Sequence, residues 1–245
     1  MIIPVTMREA HRAGLRHYLA TGELNVLNRR MELTAVRRDG TPLPVEVLVS
    51  PLSIDGKTIF SAFLHDITER KQVEAIREHE ATHDPLTGLL NRRGMFDLLS
   101  QAIARVKRTR ASLALLFIDL DGFKQINDTH GHEAGDAVLR EVAARLQASI
   151  RQTDTAARLG GDEFTVILEN IKHGISDANM LAQKILETLQ HPIQLDSVTA
   201  TISASIGISM HHPYDERSAD QLVNAADSAM YTAKHAGKNQ VCVHK

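Results

Sequence analysis

Two groups of carboxylates carry the chemistry that can be read from this chain. In "AARLGGDEFTVILEN", residues 156 to 170, Asp162 and Glu163 stand side by side after Gly160-Gly161. Glycine reaches positive φ without a Cβ clash, so the pair reads as a hairpin turn between strands at Ala156 to Leu159 and Phe164 to Leu168. Taken alone, the two acids are equally well explained as solvated charges at a hairpin tip. The second group is "LLFIDLDGFKQIND", where an apolar strand ends in Asp119 and is followed by Asp121, Gly122 and Lys124. A carboxylate at the end of a buried strand is costly unless paired or metal-bound, and hard oxygen ligands suit Mg²⁺. Asp119 alone could equally cap the following turn. If the two strands are neighbours, Asp119 and Asp162 face each other across a gap sized for metal. Two metals about 3.5 to 4 Å apart can clamp the attacking and leaving oxygens of an in-line phosphoryl displacement. Lys234 and Lys238, in "AMYTAKHAGKNQ", either complement the end of a helix dipole or, if that end faces the hairpin, hold triphosphate oxygens.

The elements that must position these residues fall in two blocks. Residues 31 to 65 alternate in the strand manner, with turn signals at Asp39-Gly40 and Asp55-Gly56, and predict a three-stranded antiparallel meander after a helix at Met7 to Ala20. Glu69 to Thr82 is charged, free of Gly and Pro, and reads as a solvated helical connector ended by Asp84-Pro85. Beyond a boundary near residue 80, helices and strands alternate. Helices are expected at Gly94 to Lys107, Gly135 to Arg151, Asp177 to Gln190 and Ser218 to His235, and late strands at Thr199 to Ser209 and Gln240 to Val243. The pattern is an α/β sandwich with an antiparallel hairpin in its sheet.

Composition narrows the function. The 245 residues are 43% hydrophobic and 24% charged, enough apolar material for one large or two ordinary domains. With 28 Lys and Arg against 30 Asp and Glu, the net charge of -2 gives no basic excess for nucleic acid. No apolar run is long enough for a membrane span or a signal peptide, and the single Cys242 suits a reducing compartment, so a cytoplasmic chain is expected. His130 and His132, and His211-His212, lack the spacing of a helical metal pair and are expected on the surface or in loops.

"RLGGDEF", together with "DPLTGLLNRRGMF", "FIDLDGFKQINDTHGHEAGD" and "YTAKHAGKNQ", resembles the GGDEF domain of diguanylate cyclases from about residue 80 to the C-terminus. The resemblance implies an α/β (α+β) fold of the nucleotidyl-cyclase kind, with a mixed, mainly antiparallel central sheet flanked by helices. It implies condensation of two GTP into cyclic di-GMP with release of two pyrophosphates, two Mg²⁺ per active site with Mn²⁺ as a substitute, and a homodimer in which each subunit presents one GTP. Carried over by position, Asp119, the Leu120 carbonyl, Asp162 and Glu163 would hold metal. Asp162 would also activate the 3′-hydroxyl, with Glu163 in support. Gly160 and Gly161 would let the nucleotide approach the backbone. Asn127 and Asp136 match guanine-reading positions, and a carboxylate there favours GTP over ATP because guanine presents N–H donors. Phe123, Lys124, Lys234 and Lys238 match phosphate-contacting positions, whereas Gly122 departs from relatives that carry a larger residue. "RQTD" puts Arg151 and Asp154 at the spacing of an RxxD site for feedback inhibition by cyclic di-GMP.

"RRDGTPLPVEVLVSPL" and "FSAFLHDITERK" resemble the C-terminal part of a PAS sensor domain, with Asp66-Ile67-Thr68 leading into the signalling helix. The first strands and short helices of such a domain are missing ahead of them, which implies a truncated antiparallel sheet with an open edge and argues against a bound small-molecule signal. The expected organisation is a partial PAS domain over 1–68, a helical linker over 69–82 and a GGDEF domain over 83–245. The competing reading is a catalytically silent receptor for GTP or cyclic di-GMP, against which the three acids Asp119, Asp162 and Glu163 speak.

Overall fold

The computed structural model describes residues 2–22, 27–55, 57–195 and 199–244. The chain divides into two compact units, Met1–Glu78 and His79–Lys245. Among the described residues no helix is long and apolar enough to cross a membrane.

In the first unit, helix α1 (Arg8–Thr21) precedes strands β1 (Arg30–Val36), β2 (Pro42–Ile54) and β3 (Lys57–Asp66). They form an antiparallel sheet in the order β1-β2-β3. The expected meander is therefore present, although Gly56 of the Asp55-Gly56 turn lies outside the described residues. Alternation buries Ala35, Val45 and Val47, a small core. Helix α2 (Thr68–Thr82) follows directly, and Asp66 sets its start by accepting from the Thr68 N–H at 2.9 Å and hydroxyl at 2.6 Å. Glu32 on β1 pairs with Lys71 at 2.7 Å and with Arg70, fastening the first turns of α2 to the sheet.

The second unit is a five-stranded sheet between helices. Its strands are β4 (Ser112–Asp121), β5 (Thr155–Gly160), β6 (Glu163–Ile171), β9 (Ser203–His211) and β10 (Gln240–Val243), in the order β10-β9-β4-β6-β5. Only the β10–β9 pair is parallel. A separate two-stranded ribbon joins β7 (Ile193–Gln194) to β8 (Thr199–Ala200). Strand β4 is buried on both faces, and its alternation divides the core. Ala114, Leu116, Ile118 and Leu120 face α4 (Phe123–His130), α5 (His132–Ser149) and α6 (Ile175–Leu189), whereas Leu113, Leu115 and Phe117 face α3 (Arg92–Thr109) and α7 (Ala219–His235). Asn91 caps α3 by accepting from the Gly94 N–H at 3.0 Å, and Ser218 with Gln221 forms a capping box on α7.

Three expectations are corrected. The helix expected from Gly135 starts at His132, and a separate short helix, α4, precedes it because Gly131, at φ 85°, interrupts the turn between them. The strand expected over 199–209 is two strands, since β8 pairs with β7 while β9 begins at Ser203 against Asp121. His211 is not a surface residue. Strand β9 runs on to pair it with Leu113, its ring is fully buried, and burial pushes its pKa down.

Candidate active site

The same alternation that builds the core places the acids. Asp119 and Asp121 share the parity of Leu113, Leu115 and Phe117, so both belong to the face covered by α7. Asp119 stands opposite Ser205 of β9 and Glu163 of β6, in the middle of the sheet order. The Gly160-Gly161 turn is present: the two residues take φ 143° and 53°, and the second is the left-handed conformation for which glycine is suited. The Asp162 carbonyl accepts from the Leu120 N–H at 3.2 Å, fastening the turn to the end of β4. The neighbouring-strand condition behind the two-carboxylate reading is met.

Asp119 is buried, and Lys234 at the end of α7 donates to its Oδ2 at 2.7 Å. Burial pushes the Asp119 carboxyl above its usual range; the Lys234 ammonium opposes that rise, and the charges of Asp162 and Asp121 add to it. This is a place where an added cation is favoured. An open cleft of about 680 Å³ lies over it, lined among others by Asp119, Leu120, Asp162, Phe123, Lys124, Lys234 and Lys238. Seven of the expected residues thus share one cavity. Lys234, in the last turn of α7, pairs with Asp119 and so does more than complement a helix dipole, while Lys238, in the turn that follows α7, lines the same cleft.

The remaining expected residues lie elsewhere. Glu163 is half-buried outside the cleft lining and meets the Arg92 guanidinium at 3.5 Å. Gly160 and Gly161 are exposed at the hairpin tip. Asn127, on α4, packs against the first turn of α5 next to Asp136, where a Cβ on Gly135 would stand 1.8 Å from Asn127 Oδ1. Arg151 and Asp154 border a separate cleft of about 350 Å³. There the Asp154 carboxylate is buried and accepts from the backbone N–H groups of Arg151 at 3.1 Å and Glu169 at 3.4 Å, while the Arg151 side chain is exposed. Gly122, at φ 84°, starts α4 in the left-handed region, which gives a local reason for glycine at that position.

Sequence reasoning missed Arg158 and Asp84. Arg158 donates from Nη1 to both Asp84 oxygens at 3.1 Å, and from Nε and Nη2 to the Gly161 carbonyl at 3.0 and 2.8 Å. Its own N–H reaches the Leu90 carbonyl at 2.8 Å. One guanidinium therefore locks the hairpin tip to the segment that follows α2. The only signal in the sequence was an arginine three residues before Gly161, which is too common a feature to single out.

The donor set suits a hard divalent cation. Among the described residues no three His, Cys, Asp or Glu side chains converge as a ready metal cage. Asp119 and Asp162 instead line one cleft as a pair of carboxylates, a partial oxygen set of the kind Mg²⁺ accepts when substrate phosphates and water complete its shell.

Comparison with known proteins bears on the family and the fold. The family described as "Diguanylate cyclase, GGDEF domain" matches residues 81–240, and a PAS domain family matches residues 4–69. An uncharacterized signaling protein of Caulobacter vibrioides is 42% identical over 204 residues, covering 81% of this chain and 25% of that protein. Diguanylate cyclase TpbB of Pseudomonas aeruginosa is 39% identical over 222 residues, covering 89% of this chain and 50% of its own. The chain thus spans half or less of the length of these relatives. The solved GGDEF domain of TpbB superposes with a TM-score of 0.63 at 41% identity, covering 66% of this chain and 94% of that one. The coiled coil and GGDEF domain of DgcB from Caulobacter crescentus, solved with c-di-GMP, gives 0.65 at 30% identity, covering 71% and 91%. On this agreement of motif and fold, the chain belongs to the GGDEF-domain family of diguanylate cyclases, with a PAS domain in its N-terminal unit.

Proposed function

We propose that the chain condenses two GTP into cyclic di-GMP and two pyrophosphates, with two copies each presenting one nucleotide. The observation that carries this reading is Asp119, buried beside the charge of Asp162 and balanced by a lysine from α7, in a cleft that also holds Lys124 and Lys238. Asp119, the Leu120 carbonyl, Asp162 and Glu163 would hold Mg²⁺, or Mn²⁺ in its place. When bound, the cation supplies charge neutralisation at the triphosphate and acidity at the attacking hydroxyl. Asp162 accepts the proton of the 3′-hydroxyl. The 3′-oxygen forms a bond to the α-phosphorus of the opposed GTP, the bond from that phosphorus to the bridging oxygen breaks, and pyrophosphate leaves with the electron pair. A second, reciprocal step closes the ring.

Lys124, Lys234 and Lys238 orient the triphosphate, with Phe123 beside them at the start of α4. Asn127 and Asp136 read guanine. Each copy supplies half of the reaction, so turnover depends on how two GGDEF units face each other, and α2 is the element through which the PAS unit sets that geometry. Arg151 reads cyclic di-GMP for feedback, while Asp154, already engaged with two backbone N–H groups, shapes the turn that presents it. The site of action is the cytoplasm.

Purified chain stripped of bound nucleotide, incubated with GTP and Mg²⁺, is expected to release pyrophosphate and form cyclic di-GMP. Chelation of the metal is expected to stop it, and Asp162→Ala to lower turnover by a factor on the order of a hundred or more. Absence of product over a wide range of protein concentration would overturn the reading in favour of a silent receptor.

A further inference from the structure

Asp121 follows Asp119 at the spacing of a D-x-D pair and borders the same cleft, yet its side chain is turned to another task. Its Oδ1 accepts from the Ser205 hydroxyl at 2.9 Å, and its Oδ2 accepts from the Ser203 hydroxyl at 3.2 Å and the Asn239 backbone N–H at 3.0 Å. Both oxygens are engaged, and three of the roughly four lone-pair positions of a carboxylate are filled. Asn239 belongs to the turn from α7 to β10, which also carries Lys238. In that turn Lys238 and Asn239 take φ 63° and 46°, successive left-handed residues without the freedom of glycine. Such a turn persists only if its surroundings fix it. The Lys238 N–H reaches the Ala233 carbonyl at 3.1 Å, the Gln190 side chain reaches Asn239 Oδ1 at 2.7 Å, and Asp121 holds the Asn239 N–H from the strand side.

We propose that Asp121 is a positioning residue: it ties the turn bearing Lys238 to the strand bearing Asp119, fixing the phosphate-binding lysine relative to the metal-holding carboxylate, without itself ligating metal. The proposal rests on the reading of the cleft as a GTP site. Ser203 and Ser205 on β9 are its partners in the same role, holding the carboxylate in one orientation.

The experiment uses the full chain with two probes: Mn²⁺ alone, followed by electron paramagnetic resonance, and a non-hydrolysable GTP analogue with Mg²⁺, followed by calorimetry. Asp119→Asn is expected to lose Mn²⁺ binding, whereas Asp121→Asn and Asp121→Ala retain it. For the analogue, Asp121→Ala is expected to bind about tenfold more weakly, the loss of one charge-assisted contact. Asp121→Asn, equally uncharged, is expected to restore affinity, because its amide oxygen can accept from the Asn239 N–H while its amide nitrogen donates to a serine hydroxyl. Lys238→Ala should weaken the analogue to the same degree, and adding Asp121→Ala to it should cost nothing further.

Loss of Mn²⁺ binding in Asp121→Asn would overturn the proposal and make Asp121 a ligand. Unchanged analogue affinity in Asp121→Ala, or full additivity with Lys238→Ala, would overturn it as well. If Lys238→Ala itself binds the analogue normally, the failure lies in the reading of the cleft. Should Asp121→Ala not fold, Ser203→Ala/Ser205→Ala, which frees the carboxylate to turn away from the Asn239 N–H, is expected to weaken the analogue in the same direction by a smaller factor and to leave Mn²⁺ binding intact, and unchanged analogue affinity there would overturn the proposal.

Discussion

Arg158→Ala removes four hydrogen bonds at once, two to Asp84 and two to the Gly161 carbonyl. The Arg158 and Asp84 side chains are 12% and 18% exposed, so the pair is largely withdrawn from water. Burial pushes the Asp84 carboxyl up, but hydrogen bonds from the Thr87 hydroxyl and N–H and from Arg158 outweigh it and hold the group below its usual range. Removing one member of a buried pair costs about 3 to 5 kcal/mol. Asp84 keeps both Thr87 bonds, at 2.6 and 2.9 Å, and the Gly161 carbonyl at the exposed tip regains water, so we expect about 2 to 3 kcal/mol. Because the effect is local to the hairpin, the assay is amide hydrogen exchange on peptides covering 156–171. Protection there is expected to fall roughly thirty- to 150-fold, and turnover at least tenfold as the Asp162 turn loosens. Arg158→Lys, which keeps the charge but not the fork, should lie between. Unchanged protection and turnover in Arg158→Ala would refute the idea that this guanidinium holds the hairpin.

Three further outcomes are expected. A Cβ on Gly207 would stand 2.0 Å from the Ala226 carbonyl oxygen and 2.2 Å from the Met230 nitrogen, both backbone atoms of α7. Gly207→Ala should therefore cost about 3 kcal/mol or more, seen as a large fall in Tm or loss of soluble protein. Gly135→Ala meets the movable tip of Asn127 instead, so the fold should survive while KM for GTP rises roughly tenfold and discrimination against ATP weakens in steady-state kinetics. Asp119 has a folded pKa above its ordinary value of 3.8, so the stability linked to its protonation is full below that value and lost as pH rises through the folded one. Asp119→Asn should accordingly raise Tm at pH 7 in the absence of metal, have little effect near pH 3, and abolish cyclic di-GMP synthesis.

Much of this molecule is written locally in its sequence. The unbroken apolar run Leu113 to Ile118 specifies a strand buried on both faces, and the two-residue period of a strand assigns Asp119 and Asp121 to one side of it before any partner is known. Gly160-Gly161 specifies a turn because left-handed φ is a single-residue property, and Ser218 and Gln221 mark the start of α7 because a capping box spans only four residues. These signals, with four motifs in order, singled out seven residues that the structure brings to one cleft. What the sequence could not supply is the meeting of residues far apart in the chain. That β6 and β9 flank β4, and that α7 lays Lys234 on Asp119, is decided by how two apolar faces of one sheet are covered. Asp121 shows the limit most clearly: in the sequence it stands two residues from Asp119 with no partner in view, and only the packing of β9 and the α7–β10 turn against it supplies the donors that satisfy its oxygens. A hydrogen bond depends on angles and a few tenths of an ångström, and those are set by the whole packed structure rather than by neighbours along the chain.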